Sequence, residues 1–139
     1  MTETVENYIT RFFREKMPKE YVYHDFTHTQ DVVRACRQIG IMEGLSLDEL
    51  EILEIAAWFH DSGYDKGPEN HEARSAEYAD RFLSTIEYPD DKLEDILACI
   101  RVTKVPQKPV NKLQQIICDA DLSHLGDKYV HCVPNSPRY

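Results

Sequence analysis

The sequence predicts an all-α fold, a single-domain bundle of about six helices, and three observations carry that prediction. Apolar residues recur at three- and four-residue intervals in one segment after another, as in helices with one buried face. Prolines, glycines and capping residues separate these segments at helix length. Apart from the short run Tyr21-Val22-Tyr23, no stretch alternates apolar and polar residues as a half-buried strand would. The 139 residues are enough for one domain with its own core and too few for two ordinary ones.

The first helix is expected where Val5, Tyr8, Ile9, Phe12 and Phe13 share a face, with Thr2 as cap and Pro18 as stop. A turn-rich link, "PKEYVYHDF", follows. The second helix is then expected from Thr27 as N-cap, burying Val32, Val33, Cys36 and Ile39 and placing His28 in its first turn. Ser46 and Glu49 stand at capping-box spacing before a third helix, whose stripe Leu50, Leu53, Ala57 and His60 faces the core. The loop "SGYDKGPEN" ends it. Asn70 is a fair cap for a fourth helix carrying Ala73, Ala76, Ala79, Phe82, Leu83 and Ile86. Pro89 suits the start of a fifth, with Leu93, Ile96, Leu97 and Ile100 at helical intervals. A loop with two prolines, "TKVPQKPVN", leads to a sixth, with Leu113, Ile116, Ile117 and Ala120 before Gly126. The helical domain is thus read as 1–126 and the remainder, 127–139, as an extended C-terminal tail. For a helical domain that ending is abrupt, and a further closing helix is left open.

Hydrophobic residues make up 42% of the chain and charged ones 29%, a globular balance. The net charge of -9 argues against an extended nucleic-acid partner, whose phosphates need clustered Lys and Arg. A small anionic substrate remains compatible if a bound metal supplies positive charge locally. Cys36, Cys99, Cys118 and Cys132 form no C-x-x-C pair and are read as isolated core thiols. No signal region and no membrane-length apolar run are apparent, so a cytoplasmic chain without a membrane partner is expected. Pairing of helices between subunits, as a homo-oligomer, stays open.

The chemistry is concentrated where an apolar helix ends, in "AAWFHDSGYDKG". The His60–Asp61 dipeptide alone is weak, since His24–Asp25 repeats it. Its placement matters more: an imidazole and a carboxylate after a buried stretch are partly desolvated and need a partner. His28, His71, Asp119 and Asp121 stand at other helix ends. A six-coordinate divalent cation accepts mixed imidazole and carboxylate ligands and keeps positions for water, and His28, His60, Asp61 and Asp121 would supply four. Such an ion lowers the pKa of its water enough to make hydroxide near neutral pH. The acidic run "YPDDKLED" lacks the glycine and closing Glu of an EF-hand and needs no explanation beyond a helix N-terminus.

Taken together, "HT..VV", "AAWFHDSGY", "HE..SA" and "DADLSHLG" closely resemble the HD-domain metal-dependent phosphohydrolases, in the same order, over Tyr23 to Gly126. The resemblance implies His28, His60, Asp61 and Asp121 as metal ligands, with Mn, Mg, Co, Fe or Ni as the ion. It implies that His71 contacts substrate phosphate or a second metal. Asp61 would also be catalytic, taking a proton from the attacking water, a role Asp119 could share. Lys66 would neutralise a phosphate oxygen, although tyrosine stands where His-Asp-x-Gly-Lys variants carry their lysine. His24 would support the site or contact phosphate, and His124 would fix the sixth helix. The expected function is hydrolysis of a nucleotide or other small phosphorylated compound. The alternatives are a non-catalytic metal- and nucleotide-binding module and, less favoured, a di-iron oxygenase of the same superfamily.

Overall fold

The computed structural model describes the backbone of residues 2–128 and the side chains within it other than those at 20–25 and 123–128. Six α-helices follow one another: α1 (Thr2–Lys16), α2 (Lys19–Met42), α3 (Leu47–Phe59), α4 (His71–Thr85), α5 (Asp90–Arg101) and α6 (Lys112–Lys128). A short 3-10 turn, Ser62–Lys66, joins α3 to α4. Among the described residues there is no strand, and no helix is long and apolar enough to cross a membrane.

α3 is the axis of the bundle and touches all five other helices. Its cap is the expected box: Ser46 Oγ accepts from Glu49 N at 3.1 Å, and Ser46 N donates to Glu49 Oε1 at 2.9 Å. Instead of the single stripe expected, every residue from Ile52 to Phe59 is buried. Helices on all sides cover it, as a helix with few polar residues in its second half requires. Glu54, within that run, accepts from the Arg37 guanidinium. Around the axis, α1 contributes Val5, Ile9 and Phe13, α4 Ala76, Ala79 and Leu83, and α5 Leu93, Ile96 and Ile100.

The expected start of the second helix is corrected. α2 begins at Lys19, eight residues before Thr27, and His28 lies in its third turn rather than its first. Pro18, with φ -54° and ψ 142°, sets the entry, and no residue from 19 to 39 is Pro or Gly. Aromatic and β-branched residues lower helix propensity only slightly, and packing decides the outcome: Phe26 lies 5.7 Å from Phe13 and 6.3 Å from Trp58, ring to ring. Gly40 sits near the other end, where a Cβ would come within 2.6 Å of the end of the Leu50 side chain, so a larger residue there would have to move that side chain. Asn70 is not the side-chain cap expected of it. Its φ of 56° is the left-handed conformation asparagine tolerates, and it makes no capping bond.

At the start of α6, Asn111 Oδ1 accepts from Gln114 N at 2.9 Å, and Gln114 Oε1 accepts from Val110 N at 3.0 Å. The helix runs through Gly126 to Lys128, so 127 and 128 are helical. The rest of the expected tail, with Cys132, and the side chains of His24 and His124 lie outside the described residues. Cys36, Cys99 and Cys118 are buried and form no disulfide, as isolated core thiols should.

Candidate metal centre

Four side chains from three helices and one turn meet inside the bundle. His28 comes from α2, His60 caps α3 at its C-terminus, Asp61 opens the 3-10 turn and Asp121 projects from α6. One ligand atom from each lies within 4.8 Å of all the others, and all four residues are buried. His28 Nε2 is 3.1 Å from Asp121 Oδ1 and 3.4 Å from Asp61 Oδ2. His60 Nε2 stands 3.3 Å from each of the same two oxygens.

The local folding of the chain explains how these atoms are aimed. His60 is 0% exposed, and its Nδ1–H donates to Ala57 O at 2.7 Å, which directs Nε2 at the two carboxylates. Although near both oxygens, that buried Nε2 has hydrogen-bond geometry to neither. An imidazole anchored through one nitrogen, with the other buried and aimed at carboxylate oxygens, is set as a metal ligand is. The donor set fits as well: two imidazoles and two carboxylates suit a borderline or hard divalent ion.

Electrostatics show what such an ion must displace. Burial pushes the His60 pKa down, but the Asp61 and Asp121 carboxylates outweigh it and raise it to about 10. Burial also favours neutral Asp61 and Asp121, and the neighbouring imidazoles reverse that, holding both carboxyls below the usual range. Two buried carboxylates this close need positive charge between them, from protons on histidine or from a metal.

A clamp holds the turn that presents Asp61. Ser62 Oγ donates to Phe59 O at 2.7 Å, and Gly63 N donates to Ser75 Oγ at 2.8 Å. The Arg74 guanidinium donates to Gly63 O at 2.8 Å, Gly67 O at 2.9 Å and Glu69 O at 3.0 Å. A Cβ on Gly63 would lie 2.3 Å from His71 O and 2.9 Å from Ser75 N, both backbone atoms of α4. Gly63→Ala should therefore cost about 2 kcal/mol of stability by forcing turn and helix apart. Thermal denaturation alongside metal content will check it, both falling if the clamp positions Asp61.

His71 joins the edge of the cluster. Its Nδ1–H donates to Pro68 O at 2.9 Å, and Nε2 lies 3.2 Å from Asp61 Oδ1 and 3.3 Å from Glu72 Oε2. Burial lowers its pKa, but the bond to Asp61 and the two carboxylate charges raise it overall, favouring imidazolium. His71 thus holds the outer oxygen of Asp61 while the inner one faces His28 and His60.

Lys66 is not brought to this cluster. It is exposed and lines a separate cavity between α1 and α4, because the 3-10 turn runs away from Asp61 along α4 under the Arg74 clamp. Asp119 is half-buried and outside the four-ligand group; two residues before Asp121 on a helix, it points to roughly the opposite side.

Two contributors escaped the sequence reading. Arg74 lies within "HE..SA", and that pattern alone does not show its backbone clamp. Gln107 lies in the loop between α5 and α6, and its Nε2 donates to Asp121 Oδ2 at 3.2 Å and Thr103 O at 2.9 Å. It fixes the outer oxygen of Asp121 as His71 fixes that of Asp61. The flanking Pro106 and Pro109 hint at a shaped loop, but no pattern ties Gln107 to Asp121. Gln107→Leu should weaken metal affinity on the order of tenfold with little change in fold, measured by competition with a chelator.

A helical bundle with a buried two-histidine, two-aspartate cluster, its members drawn from an early helix, a His-Asp pair and a late helix, is a candidate centre for a divalent metal ion. The chain belongs to the HD domain family: the family model described as HD domain matches residues 25–125, well over half of the sequence. No curated protein and no solved structure matches the chain.

Proposed function

We propose that this HD domain hydrolyses a phosphate ester of a nucleotide or another small phosphorylated compound, with a divalent ion held by His28, His60, Asp61 and Asp121. The observation that supports it is the convergence of four buried ligand atoms, with His60 Nε2 3.3 Å from a carboxylate oxygen of both Asp61 and Asp121. Such an ion supplies Lewis-acid polarisation of a phosphoryl oxygen and a bound water of lowered pKa. The protein's own groups do the rest. His71, anchored through Pro68 and with its pKa raised by Asp61, would place an N–H beside Asp61, where it can stabilise negative charge building on the phosphoryl group. Asp61 would take the proton leaving the attacking water. Gln107 and the Arg74 clamp keep both aspartates in place while the charge moves.

The one four-ligand group found among the described residues would hold a single ion. The test is metal content per chain in protein purified without added metal, followed by a screen of nucleotides and simple phosphate mono- and diesters with Mn²⁺, Co²⁺ or Mg²⁺. One bound ion and metal-dependent phosphate release are expected. Stoichiometric metal with no turnover on any member of the screen would favour the binding module, and two irons per chain the oxygenase.

A further inference from the structure

Away from the metal ligands, α1, the 3-10 turn and α4 enclose a cavity of about 300 Å³. Each element contributes one exposed cation to its wall: Lys16, Lys66 and Arg81. Among the described residues none of the three forms an ion pair, a state they share with Arg11, Arg14, Lys19, Arg101, Lys104 and Lys108. For a chain with 25 acidic and 16 basic residues, three uncompensated cations around one concavity make a local field opposite to the net charge.

Asp65 is the one carboxylate in the wall, and it is already engaged. Tyr78 OH donates to both its oxygens at 3.0 Å, and Arg74 Nε stands 4.0 Å from one of them. Its charge is shared with the Arg74 guanidinium, so three cations face one carboxylate across the wall. The floor is aromatic and fixed in place: Tyr8 stacks on Phe82 at 4.1 Å, and Phe12 lies 5.4 Å from Tyr78. Half-buried Tyr8 and Phe12 leave ring surface in the cavity, and Arg81 reaches over the Tyr78 ring at 5.9 Å. Rigid aromatic surface ringed by flexible cations recognises a planar group carrying phosphate, and the volume is at the small end for such ligands.

We infer that this groove is a second ligand site, separate from the metal centre, for a small phosphorylated molecule with a planar ring, of about mononucleotide size. Lys66 and Asp61 lie at opposite ends of one short turn, so the two sites are neighbours along the chain without sharing a side chain. The inference does not depend on hydrolysis at the metal centre, and either can fail alone.

The test is titration of the full chain, loaded with Mg²⁺ or Zn²⁺, with adenosine 5′-monophosphate and with inorganic pyrophosphate. Backbone amide shifts report where each probe binds. Saturable shifts are expected across residues 8–16, 64–67 and 78–81, weakening as salt is raised. Lys66→Gln combined with Arg81→Gln should reduce affinity at these amides on the order of tenfold while metal content per chain stays unchanged. All the substituted side chains are exposed, so the variant should fold, and its amide spectrum shows whether it has. Shifts confined to the neighbourhood of His28, His60 and Asp121, or groove shifts of equal affinity in the double variant, would overturn the inference.

Discussion

Replacing His60 with alanine should abolish metal binding and hydrolysis together. The imidazole is fully buried, it supplies one of four ligand atoms, and it carries positive charge between Asp61 and Asp121 in metal-free protein. Its loss removes a ligand and leaves two buried carboxylates facing each other, at a cost to the fold of about 3 to 5 kcal/mol. Loss of fold could mimic loss of metal, so His60→Gln, which keeps much of the volume, is the companion variant. Elemental analysis, phosphate release and thermal denaturation together separate the outcomes. A folded, active variant without metal would sink the metal-centred reading and return His60 to the status of an ordinary buried histidine.

Metal affinity should rise steeply with pH. A metal requires the lone pair on His60 Nε2, and in metal-free protein that nitrogen holds its proton up to about pH 10. Below that point each ion displaces a proton, so affinity should climb about tenfold per pH unit, roughly a hundredfold from pH 6 to pH 8. Calorimetry in buffers of different ionisation enthalpy will read the proton released. Stability of the metal-free chain should run the other way. The His60 pKa is raised above its unfolded value, so the stabilisation it gives is fully present below about pH 6.5 and is lost as pH rises towards 10. Asp61 and Asp121 have lowered pKa values, so their contribution is present above the ordinary carboxylate range and is lost only in acid. Melting temperatures with and without metal should therefore diverge as pH increases. Parallel curves would show that no ligand proton competes with the ion.

Much of this protein could be read before any coordinates. Helical periodicity and its punctuation predict six helices, and the Ser46–Glu49 box forms as expected because a capping box is a local interaction. Resemblance across four separated motifs singles out His28, His60, Asp61 and Asp121, because ligand chemistry limits which residue types can hold an ion. The start of α2 was less legible. Lys19 to Phe26 has neither a strong helical pattern nor a breaker, and only packing against α1 and α3 decides its conformation.

What the sequence determined by itself was therefore the kind of structure and the candidate site: helices, from local spacing and caps, and a set of candidate metal ligands, from residue types in a recognisable order. Tertiary structure alone decided which groups share space. It joined Gln107 to Asp121 across 14 residues and fastened the turn to α4 through Arg74. It also sent Lys66 to a different cavity from His71, five positions further along the chain. The physical reason is range. Periodicity and capping act within a turn or two of helix, whereas these contacts depend on how whole helices cross, which depends on every side chain packed between them.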